Sequence, residues 1–255
     1  MHDQLPRTIA VPAPSEMPLR VARRVAASLL RRRYDVHVHG AEHVPADGPV
    51  LLSCNHIGLF DGPLLTAVAP RSVHALVKRE MFAWPGGWLF GALGQISVER
   101  SATDPVAVKQ AIRVLRDRGV VAVYPEGSRG RGDVKHSRLG TAYLAMVTGA
   151  VVVPVAHLGT RTHGASVHAA PVRGARLDVV FGAPLRAAEP PMAWPRRRAQ
   201  VGSLAEQLRV GLARHVHDAV LLTGQELPTA PPDADDDAAG RRGHEVGPYA
   251  EEHTS

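Results

Sequence analysis

Cysteine is almost missing from this chain. Cys54 is the only one, so no intrachain disulfide can hold the fold, and a reducing compartment suits it. Long apolar runs are missing too. No stretch approaches the roughly 18–20 apolar residues that span a bilayer. The longest candidates, Val120-Val121-Ala122-Val123 and Val151-Val152-Val153, are of strand length. Residues Met1 to Ser15 carry Asp3 and several prolines but no continuous apolar core, so no secretory signal is read there. Aromatic residues make up only 4% of the chain and do not interleave with lysine and arginine. A base-stacking nucleic-acid platform is therefore not expected.

Positive charge is abundant and unevenly placed. The 255 residues carry a net charge of +6, yet from Glu226 to the end eight acids face two arginines. The remainder is correspondingly more basic, which suits an anionic partner such as a phosphorylated substrate or an acidic membrane surface. The tail also contains Pro231-Pro232 and Asp235-Asp236-Asp237. Its composition cannot build a core, so residues 226–255 are expected to be disordered.

The order of elements is read from periodicity. Residues 1–15 are expected to be flexible. Residues 16–34 read as a basic amphipathic helix: Val21, Val25 and Leu29 recur every four positions, with Ala22 and Ala26 beside them, among Arg20, Arg23, Arg24, Arg31, Arg32 and Arg33. Such a helix can lie in an anionic membrane interface or pack on a core with its arginines in water. Residues 35–225 form the expected body. Strands are read at 35–40, 49–54, 73–77, 95–98, 120–124, 151–156 and 177–181. Helices are read at 61–68, from Asp104-Pro105 to Gly119, at 139–148 and at 204–222. This alternation predicts an α/β fold, a layered mixed sheet flanked by helices.

Three segments carry candidate chemistry. Cys54-Asn55-His56-Ile57-Gly58-Leu59-Phe60-Asp61 follows a buried strand. It offers an imidazole as general base and a carboxylate to orient it, although Asp61 could instead cap the next helix. Gly94-Gln95-Ile96-Ser97-Val98-Glu99-Arg100 and Tyr124-Pro125-Glu126-Gly127-Ser128-Arg129 also follow strands. Ligands of open α/β sheets gather at such strand ends, and arginine forks match phosphate oxygens.

In order and spacing, Asn55-His56-x4-Asp61, Gly94 to Arg100, Tyr124 to Arg129 and Val152-Val153-Pro154-Val155 resemble the four motifs of the glycerolipid acyltransferases. The bacterial lysophosphatidate acyltransferases are the nearest branch, and the resemblance covers roughly residues 35–185. It implies that His56 is the general base and Asp61 its orienting partner. It also implies that Arg100, Glu126, Gly127, Ser128 and Arg129 hold the acceptor, with Pro154 on the acyl-donor side or in the core. Lys78 falls where the family often has lysine. Ser128 stands where threonine is commoner, Glu99 where aspartate is frequent, and Arg138 where lysine often precedes the glycine. The implied reaction moves a fatty acyl group from an acyl-CoA or acyl carrier protein thioester to a lysophospholipid hydroxyl, with no cofactor and no metal. Backbone amides near Gly58 or Gly127 are the expected oxyanion donors. The implied place is peripheral, on the cytoplasmic face of the cell membrane.

Two other readings fit parts of the sequence. His37 and His39 share one face of a strand, and a metal-dependent hydrolase could use them as ligands. The alternative for that pair is the exposed face of an edge strand whose Val36 and Val38 point inward. The basic charge alone would also suit a non-catalytic module that binds anionic membranes.

Overall fold

The computed structural model describes residues 17–99, 104–186 and 198–229. The expected flexible N-terminus and all but the first four residues of the expected tail lie outside the described residues. Helix α1 (Met17–Arg33) leads into β1 (Asp35–His39). A 3-10 turn, β2 (Val50–Cys54), α2 (Asp61–Val68), β3 (Val73–Lys78) and the short α3 (Arg79–Phe82) and α4 (Trp88–Ala92) follow. Then come β4 (Ile96–Val98), α5 (Pro105–Arg116), β5 (Val120–Val123), α6 (Gly140–Thr148), β6 (Val151–Leu158), β7 (Arg176–Phe181), β8 (Leu185–Arg186) and α7 (Arg198–Thr223).

The strands form one mixed sheet in the order β1-β7-β6-β2-β5-β3-β4, with β8 paired to β6. Strands β6, β2, β5, β3 and β4 are parallel, while β7 runs antiparallel to β6 and carries β1 with it. The carboxyl ends of β2, β5 and β3 therefore share one rim, and β1 ends on the opposite one.

Helices cover both faces. Leu51, Val121 and Val152 point into one cluster with Ile112 of α5, Leu144 of α6 and Leu208 of α7. Leu52, Ala122 and Val153 point into the other with Leu64 and Leu65 of α2 and Leu30 of α1. This explains why β2, β5 and β6 read as continuous apolar runs rather than alternating ones. Pro154 lies within β6, between buried neighbours, so its segment supports the core. Asp104 caps α5 as the sequence suggests, accepting from Val106 N and Ala107 N at 3.0 Å each.

Helix α1 packs by the alanine side of the apolar face its periodicity suggests. Ala22, Ala26, Ala27 and Leu30 are half-buried, as is Arg23, whereas Val25 and Leu29 are 55% and 58% exposed. Small alanines let α1 approach α2 closely and leave the larger aliphatics in solvent. At the other end of the chain, Leu227 packs against the lower half of α7 and Thr229 O accepts from Arg161 Nη2 at 2.9 Å. Order thus continues past residue 225.

Candidate active site

Strand β2 delivers the site. Beyond Cys54, Asn55 continues the pairing with β6 through its side chain: Oδ1 accepts from His157 N at 2.7 Å and Nδ2 donates to His157 O at 3.2 Å. This fixes the chain direction just before His56. The following loop curls so that Asp61, the first residue of α2, turns its carboxylate back toward His56. The helix N-cap is Phe60, which makes no side-chain cap bond. The capping role open to Asp61 is therefore not the one it adopts.

Asp61 is completely buried and fully used. Its Oδ2 accepts from His56 Nδ1 at 2.7 Å, from Ile57 N at 2.7 Å and from Gly58 N at 3.0 Å. Its Oδ1 accepts the Thr160 hydroxyl. Burial pushes this carboxyl up, but the His56 bond, the nearby imidazoles and the Gly58 amide outweigh it and hold it at about 2. A carboxylate only accepts, so His56 Nδ1 carries the proton and Nε2 presents its lone pair. The His56 side chain is 18% exposed, enough to meet a substrate.

Other titratable groups behind the pair stay neutral. The Tyr124 ring packs on the His56 ring at 4.3 Å and lies 5.9 Å from the His157 ring. Burial pushes the Tyr124 phenol and the Cys54 thiol well up, and pushes His157 down. Cys54 is thus an inert thiol, not a nucleophile. Among the described residues neither ring nitrogen of His157 has a hydrogen-bond partner. Of these groups His56 alone combines access with an oriented lone pair.

The loop after β5 forms the second wall. Glu126 Oε1 accepts from His56 N at 2.8 Å, and Gly130 N donates to His56 O at 2.9 Å, so both backbone groups of His56 are tied to this loop. Burial, aided by Asp133 and Asp61, pushes Glu126 up to about 7. Gly127 turns with φ 74°, a conformation that favours glycine, and a Cβ there would collide with the Arg138 side chain. Arg129 Nη1 lies 3.3 Å from His168 Nδ1. Ser128 is half-buried on the same turn.

His56, Asp61, Glu126, Gly127, Ser128 and Arg129 therefore meet on one rim of the sheet. Arg100 lies outside the described residues. Lys78 pairs with Glu80 at 3.5 Å on the same rim. Of the amides near the two glycines, Gly58 N donates to Asp61 at 3.0 Å and Gly127 N to Tyr124 O at 3.0 Å. His37 and His39 stand on β1, an edge strand whose Val36 and Val38 pack inward. His37 Nε2 lies 2.9 Å from Asp35, and His39 Nε2 lies 2.8 Å from the buried Asp178. Among the described residues no group of three metal-ligating side chains gathers.

Thr160, Arg161, Tyr124 and Arg138 complete the surroundings, and sequence reasoning assigned none of them a role at the His56–Asp61 pair. Thr160 and Arg161 follow Gly159 at the end of a buried strand, the same signal that marked His56 and Glu126.

The acyltransferase family model matches residues 35–158, which hold both walls of the site up to His157. A 1-acyl-sn-glycerol-3-phosphate acyltransferase of Bacillus subtilis is 28% identical over 164 residues, covering 63% of this chain and 79% of that protein. A lyso-ornithine lipid O-acyltransferase of Pseudomonas aeruginosa is 34% identical over 113 residues, 42% of each chain. The crystal structure of the 1-acyl-sn-glycerophosphate (LPA) acyltransferase PlsC from Thermotoga maritima superposes with a TM-score of 0.58 at 21% identity. It covers 77% of this chain and 79% of that one, and it is a likeness of fold.

Proposed function

We propose that this chain, which matches the acyltransferase family model over residues 35–158, transfers a fatty acyl group from an acyl thioester to the hydroxyl of lysophosphatidate, giving phosphatidate for phospholipid synthesis. The observation that carries the reading is the His56–Asp61 pair: a buried, ionised carboxylate that accepts four donors and leaves His56 Nε2 facing the rim. His56 Nε2 takes the proton of the acceptor hydroxyl as its oxygen attacks the thioester carbonyl. The tetrahedral intermediate collapses, the carbon–sulfur bond breaks, and the imidazolium returns its proton to the departing thiolate. An ester and a free thiol result. The attacking oxygen belongs to the substrate, so no protein nucleophile is required.

Arg129 and Arg138 flank the turn at Gly127 and supply positive charge for the acceptor phosphate. Arg100 is proposed to join them. The donor is acyl-CoA or acyl carrier protein. Among the described residues no helix is long and apolar enough to cross a membrane. Two exposed apolar features suit a peripheral contact with an anionic bilayer. One is the Val25–Leu29 stripe among the arginines of α1. The other is the loop between α3 and α4 with the first residue of α4, where Trp84 and Trp88 are 50% and 71% exposed. That loop follows β3 and so stands on the rim that carries His56.

The test is thiol release with lipid product analysis. Lysophosphatidate and lyso-ornithine lipid serve as acceptors, each with acyl-CoA and with acyl carrier protein. Phosphatidate formation from lysophosphatidate is expected. Turnover on lyso-ornithine lipid alone would overturn the acceptor, and no thiol release with any pair would overturn the reaction.

A further inference from the structure

We propose that Thr160 is a positioning residue for acyl transfer: its hydroxyl holds the second oxygen of Asp61 and thereby fixes the plane of the carboxylate that orients His56. The inference rests on the proposed reaction for its kinetic consequence, while the geometry stands by itself.

Three of the four donors to Asp61, from His56, Ile57 and Gly58, converge on Oδ2. A carboxylate held at one oxygen can still pivot, because the terminal torsion of aspartate is broad. The Thr160 hydroxyl on Oδ1 removes that freedom. Threonine is suited to this task. It is β-branched, so χ1 is stiff, and at 0% exposure its hydroxyl has no competing solvent. Glutamine or asparagine would bring longer, looser arms.

Thr160 is itself held against the catalytic loop. Gly159 turns the chain at the end of β6 with φ 77°, and a Cβ there would strike Arg176 O. The next residue, Arg161, is buried and bridges several segments. Its Nε donates to Ile57 O at 2.7 Å, Nη1 to Ala165 O at 2.9 Å, and Nη2 to Gly130 O and Thr229 O at 2.9 Å each. It thus ties the His56 loop, the Glu126 loop and the chain beyond α7 to the backbone of Thr160. Gly58 permits this approach: a Cβ at that position would stand 3.1 Å from Thr160 O and 3.3 Å from Arg161 Cβ. A residue 99 positions from Asp61 in sequence therefore sets the plane of its carboxylate.

The test compares the full-length chain with Thr160→Val and Thr160→Ser. Valine keeps the shape and loses the donor, and serine keeps the donor. Steady-state transfer from acyl-CoA to lysophosphatidate is measured together with proton NMR of the His56 Nδ1–H and its exchange with water. Thr160→Val is expected to lower kcat about tenfold while leaving both KM values within about twofold. Its Nδ1 proton is expected to exchange faster, and Thr160→Ser is expected to restore both readouts. Unchanged kcat and exchange in Thr160→Val would overturn the proposal. So would a Thr160→Ser protein as impaired as Thr160→Val, since packing of the methyl group would then be the cause. Should Thr160→Val not fold, Thr160→Ala against Thr160→Ser makes the same comparison. If the wild-type chain shows no transfer, the proposed reaction fails, and the NMR comparison still decides the role of Thr160 because it needs no substrate.

Discussion

Asn55 pairs with both backbone groups of His157, 102 residues away, and so prolongs the β2–β6 pairing by one residue with a side chain. Without it the His157 amide and carbonyl would be buried and unsatisfied. Asn55→Ala is expected to lower unfolding free energy by about 2–6 kcal/mol, from roughly 1–3 kcal/mol for each of the two orphaned groups. Urea denaturation measures this. A change under about 1 kcal/mol would mean that the pairing survives without the side chain.

His56→Ala should abolish most transfer and leave the fold intact, because the imidazole lies at a strand end. A loss of about 10²–10⁴-fold in kcat is expected for a general base. Asp61→Asn should cost less than His56→Ala but more than about tenfold, since an amide can present a donor to Nδ1 and select the wrong tautomer. Thiol-release kinetics on proteins with matching circular dichroism check both. Near wild-type turnover of folded His56→Ala would remove His56 from the mechanism.

Glu126 links pH to stability. In the fold its carboxyl is pushed from 4.5 to about 7, mainly by burial. Between those values the folded chain holds a proton that the unfolded chain has released, so stability falls as pH rises through that window. The shift corresponds to an effect on the order of 3 kcal/mol. Asp61 acts in the opposite sense at lower pH. Its stabilisation is present above its unfolded value of 3.8 and is lost as pH falls through about 2. Glu126→Gln keeps the acceptor for His56 N and cannot ionise. Its thermal midpoint should exceed that of wild type more at pH 8 than at pH 5. Equal differences at the two pH values would contradict the raised pKa.

Arg129→Ala, Arg138→Ala and Arg100→Ala should each raise the apparent KM for lysophosphatidate more than that for the thioester. A lost charge-assisted bond costs roughly 1.5–3 kcal/mol, or about ten- to a hundredfold. Varying each substrate in turn separates the two effects. If only the thioester KM rises, the phosphate binds elsewhere.

Val25→Ser with Leu29→Ser should leave the fold unchanged, because both residues are more than half exposed. Binding to anionic vesicles should weaken at least about tenfold, since burying a branched aliphatic contributes roughly 1.5–3 kcal/mol. Trp84→Ala with Trp88→Ala should act in the same direction. Sedimentation with vesicles rich in anionic lipid, compared with neutral ones, measures it. Undiminished binding in both double variants would place the membrane contact on another surface.

Much of the frame was readable along the chain. Strands β2, β5 and β6 are covered on both faces, so they appear as short apolar runs between turn residues. The helix opening at Asp104-Pro105 carries its cap and proline in adjacent positions. His56 and Asp61 are five residues apart on one loop, so their pairing needs only local geometry. Less was readable where length or direction mattered. Strand β8 has only two residues and takes its identity from β6. Helix α7 begins at Arg198, six positions before its apolar pattern becomes clear. That the amides of Gly58 and Gly127 turn to Asp61 and to Tyr124 O was not readable, because sequence does not say where an N–H points.

By itself the sequence determined the alternation of strands and helices, the order and spacing of the candidate motifs, and the proximity of His56 and Asp61. These rest on hydrophobic periodicity and on groups near one another in the chain. Tertiary structure alone decided which stripe of α1 packs, that Glu126 clamps the backbone of His56, and that Thr160 and Arg161 close over Asp61. The physical reason is the sheet order. Placing β6 and β5 on either side of β2 brings three distant strand ends to one rim, and hydrogen bonds between them depend on that adjacency rather than on any local pattern.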